Sequence, residues 1–381
     1  MKKITAIICA GALLSACCNR SAVVLPEGGL AGAEPVAEFN DSIHFHSLYN
    51  DALMEYTFDK WAPEDFPKWQ KEFKAALKKT LGLTHIERQL KGYTPKAEFK
   101  AVQEFEDYTM EDWIIWTEPT MPLPMVVLKP KNLQGKVPLV LAIQGHSKNP
   151  KLFAGVYNSE KERESGEEGQ RNIGIQAIRE GYIAIVPTTR AFGETRLPGD
   201  KEADKTHSCD TYLKRDLLVG RTPIGDRVWD MMKIIDWASI SLPIDTRNII
   251  VTGNSGGGTV TLFEGAIDER VTMSLPGSYY CTFAGSIGSV YHCACNYIPG
   301  VLDLGEMYDI AGLTAPRHFR AIHGEFDKIF PVTETKKALE KTLAIYEAAG
   351  APDNCSLFVG PEGHRYYSAG AWEFIRKNLV K

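Results

Sequence analysis

A chain of 381 residues, 44% of them hydrophobic and 24% charged, has the composition of a soluble globule with room for one large α/β domain plus additions, or two small domains. Its 43 basic and 48 acidic residues leave a formal charge of −5, which gives a polyanion no electrostatic reason to bind. Nucleic acid is therefore excluded as the expected partner.

The chain opens with Lys2 and Lys3 ahead of an apolar run from Ile4 to Leu14. That run is too short to span a bilayer and has the proportions of a signal peptide, assigned to residues 1–16. The residues that end it, Leu14-Ser15-Ala16-Cys17, resemble the lipobox of bacterial lipoproteins. The resemblance implies that Cys17 is acylated, becomes the mature N-terminus and holds an exported protein at a bacterial membrane. A plain secretory signal cut after Ala16 is the alternative. Residues 17–35, rich in Gly, Ala, Pro and Glu, read as a tether.

Residues 36–98 read as a helical extension. The stretch around Tyr49 to Leu53 and that from Pro67 to Leu81 carry apolar side chains at helical spacing, notably Trp69, Phe73, Leu77 and Leu81. Strand signals begin at residue 99, where the catalytic domain, 99–381, is expected to start. Phe99 to Tyr108, Asp112 to Thr117 and Met125 to Leu128 suggest an antiparallel beginning. Short apolar runs then recur between helix-length stretches: Pro138 to Ile143, Tyr182 to Val186, Asn248 to Thr252, Val271 to Leu275, Phe319 to Ile322 and Ser356 to Val359. This alternation predicts an α/β fold with a mostly parallel central sheet of about eight strands flanked by helices. The segment from Arg227 to Ser239 reads as a helix with one apolar face. Ser159 to Arg171, dense in charge and turn formers, reads as a solvated loop, with a binding lid as the alternative.

Gly253-Asn254-Ser255-Gly256-Gly257 satisfies G-x-S-x-G between the strand Asn248 to Thr252 and an apolar helix through Leu262, Phe263 and Ala266. A serine on so tight a turn needs neighbours without bulk, which Gly253 and Gly257 supply. No Lys-Ser/Thr ending follows, so a phosphate loop is excluded. Ser255 is the candidate nucleophile.

A serine hydroxyl needs a base and an acid to orient that base, in the chain order Ser, acid, His. His364, in the loop Gly360-Pro361-Glu362-Gly363-His364, is the candidate base. Asp327, after the strand Phe319 to Ile322, is the candidate acid, with Glu325 as its rival. The backbone N–H groups of Gly256 and His146 are the candidate oxyanion hole, with Ser147 as the neighbour alternative to His146.

Of eight cysteines, Cys9 leaves with the signal and Cys17 is taken by lipid. The sequence selects no pairing among the rest. His292-Cys293-Ala294-Cys295 lacks a second ligand pair at zinc-site spacing, so it reads as buried thiols or a disulfide, and no metal or cofactor is expected.

From about Lys100 to Lys381 the chain resembles bacterial α/β-hydrolases of the acetyl xylan esterase and dienelactone hydrolase-like group. The resemblance rests on Gly220-Arg221-Thr222, Gly225 to Asp230, Gly253 to Thr259, His292 to Pro299 and Gly324 to Pro331. It implies a cofactor-free serine esterase, often acting on acetylated carbohydrate. Gln144 departs from the group, where many members carry histidine, and so does Thr188 to Gly193. Two other functions fit less well. An exopeptidase of the prolyl-oligopeptidase kind shares the elbow, but the chain has no room for its propeller. A glycan-binding surface lipoprotein would have no use for Ser255, Asp327 and His364 together.

Overall fold

A computed structural model describes residues 29–380. Residues 1–16, expected to be a signal peptide, Cys17 and most of the residues expected to form a tether lie outside the described residues. The chain divides into two compact units between Ala52 and Leu53. The first contains the short turn Gly29–Gly32 and the helix Asp41–Asp51. That helix begins where the Asn40 side chain accepts the Ile43 N–H, satisfying one of the donors a helix start leaves open.

The second unit is built on one nine-stranded sheet. Its strands are β1 (Lys96–Glu104), β2 (Tyr108–Glu118), β3 (Met121–Pro130), β4 (Val137–Ile143), β5 (Ile183–Pro187), β6 (Ile244–Asn254), β7 (Met273–Gly277), β8 (His318–Gly324) and β9 (Cys355–Gly360). Their order across the sheet is β1-β2-β3-β5-β4-β6-β7-β8-β9. The first three strands form an antiparallel meander joined antiparallel to β5, and from β5 to β9 every pairing is parallel. β4, β5 and β7 are buried almost throughout because helices cover both faces, which is why their sequences run apolar without alternation.

The nine strands correspond one to one with the nine runs read from the sequence. The run Phe99 to Tyr108 overshoots β1 and ends on the first residue of β2, where the Phe105 N–H bonds back to the Tyr108 carbonyl and closes a hairpin. The segment expected to be a loop, Ser159 to Arg171, contains the helix Glu160–Glu168. Ser159 caps it by accepting the Glu162 N–H, and Arg163 pairs with Glu160 and Glu167 on its exposed face.

The helices Phe66–Thr80 and Leu83–Gln89 belong to the same unit as the sheet. Trp69, Phe73 and Leu77 are fully buried in one core with Leu262, Phe263 and Ala266 of the helix Gly256–Ile267. Each such side chain contributes about 2 kcal/mol on burial, so this brace fixes the helix that follows Ser255. Among the described residues no helix is long and apolar enough to cross a membrane.

Register places the loops that matter. Ile143 at the end of β4 pairs with Gly253 of β6, so the chain from Gln144 to His146 leaves the sheet beside Ser255. Gly324 of β8 pairs with Gly360 of β9, so the loops carrying Asp327 and His364 leave it side by side. β4 and β6 are also where the strand order reverses, the place where open α/β sheets form a crevice.

Candidate active site

Ser255 has φ 57° and ψ −119°, a backbone conformation that L side chains adopt rarely and that costs on the order of 1–3 kcal/mol. Packing holds it there. A Cβ on Gly253 would lie 2.4 Å from the Ile143 carbonyl oxygen, and one on Gly257 would lie 2.1 Å from the same atom. The Ser255 N–H donates to the Gly277 carbonyl at 2.8 Å, tying the turn to the end of β7. Those glycines let the helix Gly256–Ile267 start directly against β4, which leaves the Ser255 side chain half-exposed at the crevice.

Asp327 is 4% exposed. Its Oδ1 accepts the N–H groups of Ile329 and Phe330 at 2.9 and 3.1 Å, and its Oδ2 lies 2.8 Å from Nδ1 of His364. Burial alone raises this carboxyl, but the His364 imidazole and the two amides outweigh it and hold it below the usual carboxylate range. The His364 ring stacks on Phe330 at 5.9 Å between centroids. Its loop is pinned by Tyr367, whose hydroxyl donates to Gly363 O and accepts the Glu362 N–H. The rival Glu325 is exposed and makes none of these contacts among the described residues.

Ser255 and His364 line one cavity of about 520 Å³, together with Gly145, His146 and Arg171. A second cavity of about 340 Å³ also reaches Ser255, lined by Gly256, His146, His207, Tyr291 and Phe330. Ser255, His364, Gly256 and His146 are thus brought together, with Asp327 behind His364. Gly145 admits the close approach: a Cβ there would lie 2.6 Å from the Asn254 carbonyl oxygen. Gln144 is buried and donates to Thr189 Oγ1 at 3.0 Å. Ser165, Glu168 and Gly169 of the segment expected to be a solvated loop line the first cavity instead. Of the tyrosines that follow β7, Tyr279 and Tyr280 are fully buried in the core, and Tyr291 reaches the second cavity.

Two features were not legible from local spacing. Arg190, in the loop after β5, is buried among Asp226, Asp230 and Glu118, and Arg221 joins the same group. This network fastens the helix Pro223–Ser241 to the loop after β5 and to Glu118 at the end of β2. The other feature surrounds Cys293 and Cys295. The fold brings His207 and Cys209, some 86 residues upstream, and His146 from the β4 loop against them. Cys293 Sγ lies 3.4 Å from Cys295 Sγ, and Cys295 Sγ lies 3.4 Å from Nε2 of His146. His207-Ser208-Cys209 is the nearby His-x-Cys segment that the sequence around His292 lacks, and a search for such a second segment would have found it.

Comparison with known proteins agrees with this architecture. YtaP of Bacillus subtilis (strain 168), named as a hydrolase, is 22% identical over 271 residues, covering 69% of this chain and 85% of the relative. A solved structure from Bacteroides fragilis NCTC 9343, named as an acetyl xylan esterase, has a TM-score of 0.74 at 20% identity, covering 91% of this chain and 97% of that one. The solved methylesterase BT1017 has a TM-score of 0.65 at 20% identity, covering 86% and 67%. Both structures share the fold. The sequence model of the Abhydrolase family matches residues 42–285, a span that takes in β1 to β7 and the turn at Ser255, and the chain belongs to that family.

Proposed function

We propose that this protein is an exported serine esterase that removes short acyl groups, acetyl above all, from carbohydrate esters. The observation that carries the reading is the 2.8 Å contact between Asp327 and His364, in a loop pair that faces Ser255 across one cavity. Asp327 accepts from Nδ1–H of His364, which leaves Nε2 free to take the Ser255 proton. As that proton leaves, Ser255 Oγ attacks the ester carbonyl carbon, and the N–H groups of Gly256 and His146 hold the negative charge that develops on its oxygen. The imidazolium then protonates the departing alcohol. Water, deprotonated by the same ring, attacks the acyl-enzyme, releases the acid and restores Ser255.

The two cavities that reach Ser255 suit a substrate with an acyl part in one and a larger alcohol part in the other. Acetyl esters of polysaccharide are favoured because the Bacteroides fragilis neighbour is named as an acetyl xylan esterase. The lipobox-like Leu14 to Cys17 supports a lipid-anchored location outside the cytoplasm, where such polymers are met. The test is to incubate the purified protein with acetylated xylan, short-chain aryl esters, methyl esters of sugar acids and proline peptides. Acetate release that falls with acyl length is the expected result, and peptide cleavage without ester cleavage refutes the reading.

A further inference from the structure

The geometry points to a structural metal site of the zinc type beside the candidate active site, with Cys209, Cys293, Cys295 and His146 as its four ligands. Tetrahedral zinc, with Zn–S of about 2.3 Å and Zn–N of about 2.0 Å, sets its ligand atoms roughly 3.5–3.8 Å apart. The contacts of 3.4 Å between the Cys293 and Cys295 sulfurs and 3.4 Å between Cys295 and His146 Nε2 are close to such edges. The ligand atoms fall into two triads, each with its atoms within 4.8 Å of one another and sharing Cys293, one with His146 and Cys295 and one with His207 and Cys209; Cys209 lies outside the first triad's spacing and would close in on a metal held by it. They come from three separate loops, so a metal here would tie those loops together.

His146 is preferred to His207 on hydrogen-bond grounds. The Cys209 main-chain N–H donates to Nδ1 of His207 at 3.3 Å, which puts the ring proton on Nε2. That is the nitrogen facing Cys293 at 3.9 Å, and a protonated nitrogen cannot ligate. Nε2 of His146 faces Cys295 with no such constraint.

The surroundings match an anionic centre. Three thiolates and one imidazole around a divalent cation leave a net charge of about −1. Arg227 is 2% exposed, and its Nη2 lies 3.6 Å from Cys209 Sγ while also donating to the Arg190 carbonyl. Among the described residues no carboxylate bonds to it, so a metal–thiolate centre supplies the counter-charge that burial of a guanidinium requires. Phe192 and Ala191 close the apolar side of the cluster.

Position gives the metal a purpose. A Cβ on Gly256 would lie 2.8 Å from Cε1 of His146, so the His146 ring packs directly on the residue after Ser255. A metal on Nε2 would fix that ring, and with it the β4 loop whose N–H is proposed to bind the oxyanion. It would act by positioning and would not touch the substrate.

The test is metal content of the purified full chain, expressed with zinc and handled without chelator. About one zinc per chain is expected, falling to near zero in Cys293→Ser and Cys295→Ser and staying near one in Cys281→Ala and Cys355→Ala, whose buried thiols lie outside the cluster. Cobalt(II) loaded into the wild type should give thiolate charge-transfer absorption, a readout that stands even if the serine variants do not fold. His146→Asn should lose the metal and His207→Asn keep it. A reduced wild type that takes up neither zinc nor cobalt overturns the proposal, as does a persistent Cys293–Cys295 disulfide in the metal-free protein. None of these outcomes depends on esterase activity.

Discussion

The Asp327 carboxylate is committed to His364 by direction as well as distance: Oδ1 is held by two main-chain amides, so Oδ2 is left facing Nδ1 at 2.8 Å. A carboxylate fixed this way sets which ring nitrogen carries the proton. Asp327→Asn keeps an oxygen for the Ile329 and Phe330 amides but turns an NH2 toward Nδ1, favouring the wrong tautomer. We predict a fall in kcat of about 10³–10⁴-fold with KM little changed. Steady-state kinetics on an aryl acetate check it, and a loss confined to KM speaks against the positioning role.

Gly257 has no room for a side chain, since a Cβ would lie 2.1 Å from the Ile143 carbonyl oxygen and 2.9 Å from that of Gln144. Gly257→Val must push the helix Gly256–Ile267 off β4. The expected cost is about 1–3 kcal/mol or more in stability, together with loss of activity, because the same shift moves Ser255. Denaturant titration and kinetics on one preparation measure both.

Arg190 is enclosed by Asp226, Asp230 and Glu118. Removing it leaves buried carboxylates without their cation, so Arg190→Met should destabilise by about 3–5 kcal/mol. A variant with wild-type unfolding midpoint would mean that Arg221, which pairs with Glu118 and Asp226, carries the network alone.

Glu264, on the helix after Ser255, is fully buried, and neither carboxylate oxygen has a hydrogen-bond partner. Burial raises its pKa well above the ordinary glutamate value. Between that ordinary value and the raised one, the folded protein keeps a proton that the unfolded chain has released, so stability falls as pH rises. Below the ordinary value both states are protonated and the effect vanishes. Glu264→Gln removes this titration. Its stability relative to wild type should grow by up to about 1.4 kcal/mol per pH unit as pH rises above about 5 toward the raised value, read from denaturant midpoints. A difference independent of pH counts against a protonated Glu264.

The sheet and the Ser255 turn were readable because their signals are local: apolar runs too short for helices, and glycines flanking a serine between a strand and a helix. Asp327 and His364 followed from chain order. The helix Glu160–Glu168 was not readable, because its stability comes from a Ser159 cap and surface ion pairs while its composition is that of a loop. The Arg190 network and the cysteine–histidine cluster were hidden for another reason. Their members come from segments far apart in sequence and meet only when β4, β5 and β6 are laid side by side. The expected signal peptide, the proposed lipidation of Cys17 and most of the expected tether fall on residues outside those described, and rest on the sequence.

The central claim is that Ser255 is the nucleophile, and an organophosphonate ester tests it most directly. Wild-type protein should gain one adduct, mapped by peptide mass to Ser255, in step with loss of aryl acetate hydrolysis. Ser255→Ala should take no adduct and retain less than about one part in 10³ of the activity while unfolding at the wild-type midpoint. An adduct on another residue, or near-wild-type hydrolysis by Ser255→Ala, would contradict the account.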